Sequence, residues 1–223
     1  MSLIRLAVVD MAGTTVREDG VVERAFNTAL ASLGVPLPVN LSERFARSRG
    51  GSKLAMFMDA LGGNAERART AHDAFETALM AALDEGNLTA MEGAEAALRE
   101  LRSLGIKVAL TTGFTRRVRE ALIARLGWAS LVDLVLSPED AGRGRPYPDL
   151  ALTALLRLQV DDVRQLAVVG DTANDLVAGT RAGASIVAGV LTGAHGRDEL
   201  ERAPHTHLID SIAQFPALIT AAG

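Results

Sequence analysis

Short apolar runs alternate along the chain with longer stretches in which apolar residues recur every three or four positions. Residues 3–9 are apolar apart from Arg5, which is typical of a strand buried on both faces. Similar runs lie at 106–110, 131–136, 166–169 and 186–190. Helical periodicity separates them at 94–104, 118–126, 150–158 and 176–182. Repeated strand–helix alternation predicts a parallel sheet with helices on both faces.

One block departs from this alternation. Residues 16–89 contain no convincing strand pattern, and helical periodicity covers 21–33, 42–61 and 65–83. An all-helical block directly after the first strand is interpreted as an insertion that packs over the carboxyl ends of the strands. The predicted fold is therefore α/β, a Rossmann-like parallel sheet core formed by 1–15 and 90–223, with an inserted all-helical cap domain at 16–89.

Composition narrows the class of protein. The chain has 223 residues, a formal net charge of −4 and no cysteine. The net charge argues against binding to nucleic acid through phosphate contacts, and the lack of cysteine excludes disulfides and thiolate chemistry. No signal-peptide pattern opens the chain, and no apolar stretch reaches the ~18 residues of a membrane span. We therefore expect a soluble cytoplasmic protein with neither a nucleic-acid nor a membrane partner.

Residues able to do chemistry follow four of the predicted strands. Asp10 ends the first, Thr112 follows the second, Arg145 follows the third, and Asp171 and Asp175 follow the fourth. The carboxyl ends of parallel strands meet at one edge of a sheet, so these side chains are expected to lie together.

This set of side chains suits phosphoryl transfer. A carboxylate can attack phosphorus and form an aspartyl-phosphate. Carboxylate and phosphate repel each other, so a cation is needed between them, and Mg²⁺ prefers such oxygen ligands. A threonine hydroxyl and an arginine can bind phosphoryl oxygens. The sequence thus predicts a small phosphorylated or phosphonate substrate.

The segments 8–15, 109–114, 142–148 and 168–175 resemble the four motifs of the haloacid dehalogenase superfamily, in order and across nearly the whole chain. The resemblance implies that Asp10 is the nucleophile. It also implies that Asp10, the main-chain carbonyl of Ala12 and Asp171 hold Mg²⁺, with Asp175 orienting the metal shell. Phosphate binding would then fall to Thr112 and Gly113, together with Arg145 in place of the usual lysine.

The first motif narrows the resemblance further. Most phosphatases of the superfamily carry a second aspartate as general acid where this chain has Ala12. Asp-Met-Ala-Gly-Thr-Thr-Val at 10–16 resembles the phosphonoacetaldehyde hydrolase (phosphonatase) family instead. In that family a cap lysine forms a Schiff base with the aldehyde, and Lys53 stands at the corresponding place. Arg49, four residues earlier, is interpreted as a substrate anion clamp or a surface charge.

Several positions depart from the phosphonatase pattern. Arg49 stands where that family has methionine, Met56 where it has histidine, and Phe114 where it has tyrosine. A family cysteine is replaced by valine at 21 or 22. These departures lie among the residues expected to contact the aldehyde group. The residues expected to bind the phosphoryl group and the metal are unchanged.

Three functions remain open from the sequence. The leading hypothesis is cleavage of the carbon–phosphorus bond of a small phosphonate, and the first alternative is hydrolysis of a small phosphate monoester. A signalling receiver domain shares a phospho-accepting aspartate but is about half this length.

The resemblance to phosphonatase also implies a homodimer formed through the cap. The four histidines are interpreted as surface or loop residues, His72, His195, His205 and His207.

Overall fold

A computed structural model describes residues 4–34 and 51–221. Its strands are β1 (Leu6–Asp10), β2 (Val16–Arg17), β3 (Thr89–Ala90), β4 (Lys107–Thr111), β5 (Leu134–Leu136), β6 (Leu166–Gly170), β7 (Ile186–Val190) and β8 (His207–Ile209). Its α-helices are α1 (Val21–Ser32), α2 (Lys53–Ala60), α3 (Ala65–Asp84), α4 (Ala94–Ser103), α5 (Arg116–Leu126), α6 (Pro138–Ala141), α7 (Asp149–Arg157), α8 (Ala173–Arg181), α9 (Arg197–Glu201) and α10 (Phe215–Ala221).

The main sheet has six parallel strands in the order β5-β4-β1-β6-β7-β8. Every residue of β1, β6 and β7 is buried, which explains why the sequences of these strands are nearly continuous apolar runs. The predicted parallel sheet with flanking helices is confirmed. The chain runs from β1 to one side as far as β5 and then returns to the other side of β1 at β6. The strand order therefore reverses between β1 and β6, which is where ligands bind in sheets of this kind.

The helices of the core show the periodicity that predicted them. Helix α4 buries Ala94, Ala97, Leu98 and Leu101, a spacing that places all four on one face. Threonine and serine caps begin several helices; the Thr115 side chain, for example, accepts a hydrogen bond from the Val118 N–H at the start of α5. No helix in the described ranges is both long and apolar enough to cross a membrane.

Helices α1, α2 and α3 lie between β2 and β3 in the chain and share a buried aromatic cluster. The rings of Phe26 and Phe57 stack with their centroids 4.3 Å apart, and Phe75 meets Phe57 edge-on at 5.7 Å. Such aromatic pairs add ~0.5–1.5 kcal/mol beyond the burial of their area. The cluster gives the three helices a common packed interior.

Three short strands were missed by the sequence pattern: β8 at the edge of the main sheet, and β2 and β3. Val16–Arg17 and Thr89–Ala90 pair antiparallel where the chain leaves and rejoins the sheet, although the block 16–89 was expected to hold no strand. A two-residue strand is too short to show alternation, so the prediction was wrong here. The part of the predicted helix 42–61 that precedes Gly51 lies outside the described residues. The division into a core at 1–15 and 90–223 and a cap at 16–89 stays a prediction.

Candidate active site

Polar residues lie at the carboxyl ends of three neighbouring strands, at one edge of the sheet. Asp10 is the last residue of β1 and is paired in register with Thr111, so Thr112 follows directly beside it. Asp171 follows β6 on the other side of β1. The topology of the sheet thus brings Asp10, Thr112 and Asp171 together at the point where the strand order reverses.

The turn after β1 is held tightly by its own backbone. The Met11 carbonyl accepts hydrogen bonds from the N–H groups of residues 14, 15 and 16, and the Thr15 hydroxyl donates to the Asp10 carbonyl at 2.9 Å. Gly13 has φ of 87°, and a Cβ there would lie 2.3 Å from Asp171 Oδ2. Only glycine allows this backbone to approach Asp171 so closely.

Asp10, Asp171 and Asp175 form a buried acidic cluster. One carboxylate oxygen from each lies within 4.8 Å of the others. Burial, opposed by the charge of Arg145 and aided by that of Asp175, raises the pKa of Asp10 to about 6. Burial and the charges of Asp10 and Asp175 raise the pKa of Asp171 well above its usual range. Burial and the mutual repulsion of the carboxylates therefore disfavour the charged forms of Asp10 and Asp171.

Arg145 reaches into this cluster from the loop before α7. Its Nη1 donates to Asp10 Oδ1 and to Asp175 Oδ1 and forms an ion pair with each. Although burial opposes the charged form, Asp10 and Asp175 raise the pKa of Arg145 above its ordinary value. Arg145 is ion-paired with two of the three carboxylates, so a cation beside Asp10 and Asp171 would offset negative charge that Arg145 does not neutralise.

The donor set fits a divalent magnesium ion. It consists of carboxylate oxygens from Asp10, Asp171 and Asp175, and Ala12, whose main-chain carbonyl is the fourth expected ligand, lines the same cavity as Asp10 and Asp171. Hard oxygen ligands in this number are those that Mg²⁺ prefers, with water completing its shell. The acidic cluster thus agrees with the metal ligands expected from the sequence, whose role stays a prediction.

Asp175 is held by the start of its own helix. The Thr172 N–H and hydroxyl both donate to Asp175 Oδ2, and the Thr172 side chain accepts from the Asp175 N–H. This capping box leaves Asp175 Oδ1 directed at Arg145. A capping residue can therefore also belong to the site.

The segment before α2 packs directly on the loop that follows β4. A Cβ at Gly113 would lie 2.4 Å from the Gly51 carbonyl oxygen and 3.4 Å from Lys53 Nζ. Thr112 is buried and its hydroxyl accepts a hydrogen bond from the Phe114 N–H at 3.1 Å. Lys53, the first residue of α2, is only 7% exposed. It is buried among the site residues, unlike most lysines at the start of a surface helix.

These residues enclose a cavity of about 390 Å³. The predicted site residues that line it are Asp10, Ala12, Lys53, Thr112, Gly113, Arg145 and Asp171. Val22, Met91 and Phe114 form an apolar part of the cavity wall. Arg17, which is exposed to solvent, also lines the cavity. The structure therefore brings together the residues predicted for phosphate, metal and aldehyde chemistry. Arg49 lies outside the described residues.

The sequence analysis missed the loop after β7, whose residues 192–194 line the cavity. His195, interpreted as a surface or loop residue, lies in the loop after β7 but is only 8% exposed, and its ring meets the start of α8. Its position in the chain could have predicted that it lies near the site, because residues 192–195 follow a buried strand that ends at the same edge of the sheet as β1 and β6.

Similar known proteins include a probable phosphatase and several phosphonoacetaldehyde hydrolases. A probable phosphatase IndB from Dickeya dadantii is 28% identical over 210 residues, which covers 94% of this chain and 90% of that protein. A phosphonoacetaldehyde hydrolase from Bacillus cytotoxicus is 35% identical over 108 residues, but the match spans only 48% of this chain and 40% of the hydrolase. The match to the phosphatase is thus longer at lower identity, and the match to the phosphonoacetaldehyde hydrolase is shorter at higher identity.

Solved structures show the same fold. A hydrolase from Pseudomonas syringae superposes with a TM-score of 0.85 at 22% identity and covers 98% of this chain and all (100%) of its own. A phosphonoacetaldehyde hydrolase-like protein from Oleispira antarctica gives 0.81 at 22% identity, covering 98% and 92%. The family model of haloacid dehalogenase-like hydrolases matches residues 4–183, which include β1, β4, β6 and their site residues. By its sequence, its sheet and the residues at the sheet edge, the chain belongs to the haloacid dehalogenase-like hydrolase family.

Proposed function

We propose that the protein is a Mg²⁺-dependent hydrolase that forms an aspartyl-phosphate on Asp10 and cleaves the carbon–phosphorus bond of a small aldehyde phosphonate such as phosphonoacetaldehyde. The observation that carries the proposal is the burial of Lys53 in the same cavity as Asp10. An amine beside the phosphorus site can form an imine with the aldehyde carbon while Asp10 attacks phosphorus.

The reaction divides into balanced steps. The neutral amine of Lys53 adds to the aldehyde carbon, a proton is taken up and water leaves, which gives a protonated imine. Asp10 then attacks phosphorus and the carbon–phosphorus bond breaks; its electrons form a carbon–carbon double bond while the electrons of the carbon–nitrogen double bond move onto nitrogen, which gives a neutral enamine. Protonation and hydrolysis of the enamine release acetaldehyde and free Lys53. Water hydrolyses the aspartyl-phosphate to phosphate and restores Asp10.

The other residues at the sheet edge bind the phosphoryl group in this proposal. The Thr112 hydroxyl, the backbone at Gly113 and the guanidinium of Arg145 are available for its oxygens. When bound, Mg²⁺ supplies positive charge that offsets the repulsion between Asp10 and the phosphoryl oxygens. Arg145, which bridges Asp10 and Asp175, also keeps the attacking carboxylate oriented.

Ala12 supports the same chemistry. An alanine at this place in the cavity lining cannot transfer a proton to a departing alkoxide. A carbon leaving group that departs as an enamine needs no such proton on oxygen. The lack of an acid at position 12 therefore has little effect on the rate of carbon–phosphorus cleavage. The proposal thus explains two features together, the buried amine of Lys53 and the absence of an acid at Ala12.

A phosphatase acting on a small phosphate monoester is the second candidate. A relative that matches almost the whole chain is named a probable phosphatase. The cavity of about 390 Å³ also has room for a substrate larger than phosphonoacetaldehyde. In this case Lys53 and Arg49 would bind an anionic part of the substrate rather than an aldehyde.

A substrate panel with matched lysine variants separates the two candidates. Phosphate release is measured with phosphonoacetaldehyde and with phosphate esters for the wild type, Lys53→Arg and Lys53→Ala. Arginine keeps the positive charge but cannot form an imine with the substrate. Borohydride reduction during turnover, followed by peptide mass mapping, reports any imine directly.

The proposal expects turnover of phosphonoacetaldehyde, a reduced adduct on Lys53, and loss of that activity in both variants. If only phosphate esters are hydrolysed and Lys53→Arg keeps most of that activity, the phosphatase function is correct. Turnover of phosphonoacetaldehyde by Lys53→Ala at the wild-type rate would exclude the imine.

A further inference from the structure

The loop that follows β7, residues 192–195, contacts both segments that carry the acidic cluster. The Thr192 hydroxyl donates to the Gly13 carbonyl at 2.8 Å, next to Ala12 in the turn after β1. On the other side, the Ala194 N–H donates to Asp171 Oδ2 at 2.7 Å and the His195 N–H donates to the Asp171 carbonyl at 3.3 Å. The loop therefore joins two segments that are more than 150 residues apart in the chain.

The backbone of this loop lies directly against the Asp171 carboxylate. A Cβ at Gly193 would lie 2.1 Å from Asp171 Oδ2, and a Cβ at Gly13 would lie 2.3 Å from the same oxygen. Two glycines from different loops thus leave room for one carboxylate between them. The Ala194 N–H holds one of its oxygens, so the carboxylate has little freedom to rotate.

His195 extends the contact to the start of α8. Its Nδ1 accepts a hydrogen bond from the Ala173 N–H at 3.1 Å. Ala173 is the first residue of that helix, and such N–H groups have no partner within the helix itself. The imidazole therefore fixes the helix end that carries Asp175, two residues further on.

We infer that the loop 192–195 sets the positions of Asp171 and of the turn at Gly13, and so determines how tightly the site binds a divalent metal. His195 is its principal positioning residue, acting through the Ala173 N–H, and Thr192 is the second. This inference rests on the metal site of the proposed function. Partners that orient metal ligands typically contribute ~10–100-fold in metal affinity or activity.

The experiment is a titration of the purified protein with Mn²⁺, with free Mn²⁺ followed by electron paramagnetic resonance, so that no turnover is needed. His195→Ala removes the Nδ1 acceptor, whereas His195→Asn places a carbonyl oxygen near the Nδ1 position. His205→Ala is the matched control, because His205 Nδ1 contacts the Ala203 carbonyl at 2.8 Å and not the acidic cluster. Thermal unfolding without metal checks that each variant is folded.

We expect His195→Ala to weaken Mn²⁺ binding at least ~10-fold, as the loss of outer-shell partners does in general. His195→Asn should restore most of the lost affinity, and His205→Ala should leave the affinity unchanged. Unchanged binding by folded His195→Ala, or equal weakening in His195→Ala and His195→Asn, would overturn the inference. A wild type that binds no Mn²⁺ would instead overturn the metal site of the proposed function.

A second pair of variants tests the inference independently of the folding of His195→Ala. Thr192→Val keeps the shape of the side chain but removes the hydroxyl that donates to the Gly13 carbonyl, whereas Thr192→Ser keeps that hydroxyl. We expect weaker Mn²⁺ binding in the valine variant alone. Equal affinities for the valine, serine and wild-type proteins would contradict a positioning role for the loop.

Discussion

Replacing Gly113 with alanine is expected to separate the α2 segment from the core and to remove most of the activity. The new Cβ would lie 2.4 Å from the Gly51 carbonyl oxygen, whereas ordinary contact begins at 3.4 Å. Because that oxygen belongs to the backbone and not to a flexible side chain, the two segments must move apart by about 1 Å. Lys53 is two residues beyond Gly51 and moves with it.

The structure sets the size of this effect. A displacement of about 1 Å at a reacting group can cost ~10²-fold in rate, which corresponds to about 2.7 kcal/mol of transition-state stabilisation. Gly113 does not have a positive φ, so the substitution brings no backbone strain of its own. The loss should therefore appear in kcat/KM while the folded core remains.

Phosphate release and thermal unfolding are measured for Gly113→Ala beside two other glycine variants. A Cβ at Gly144 would lie 3.0 Å from the Ser52 N, so Gly144→Ala should cause a smaller loss. Gly196 has φ of −74° and nothing within 4 Å of its Cβ position, so Gly196→Ala should behave as wild type. Wild-type kcat/KM in Gly113→Ala, or equal losses in all three variants, would refute the reasoning.

Three further predictions concern other side chains. Asp10→Asn should reduce phosphate release to below a tenth of wild type without lowering thermal stability, because an amide is a poor nucleophile; a larger residual rate would remove Asp10 from its role. Ala12→Asp should raise hydrolysis of phosphate monoesters relative to phosphonates, by less than the ~10²–10⁴-fold of an evolved general acid, and an unchanged ratio would count against Ala12 as the determinant. Burial opposes ionisation of Asp140, but hydrogen bonds from Arg119 and the Ser137 N–H and the charge of Arg119 lower its pKa to about 2. Its contribution of about 2 kcal/mol should therefore be present above pH 4 and be lost as the pH falls toward 2, so urea unfolding curves of wild type and Asp140→Asn should converge in acid; parallel curves would contradict this.

The sequence alone determined five of the six strands of the main sheet and the polar residues that follow several of them. Strands buried on both faces require continuous apolar runs, and those runs predicted β1, β6 and β7 closely. Parallel strands place their carboxyl ends together, so Asp10 and Asp171 could be assigned to one site before any distance was known. The periodicity of a strand and the helical connection to the next strand, which favours parallel pairing, can both be read from the sequence.

Only the tertiary structure decided how the site is held. Arg145 bridges Asp10 and Asp175 across 135 and 30 positions of the chain, and His195 meets Ala173 across 22. The contact of Gly51 with Gly113 and the pairing of β2 with β3 likewise join distant segments. Such contacts depend on how loops pack against one another, and no spacing of apolar and polar residues along the chain encodes that packing.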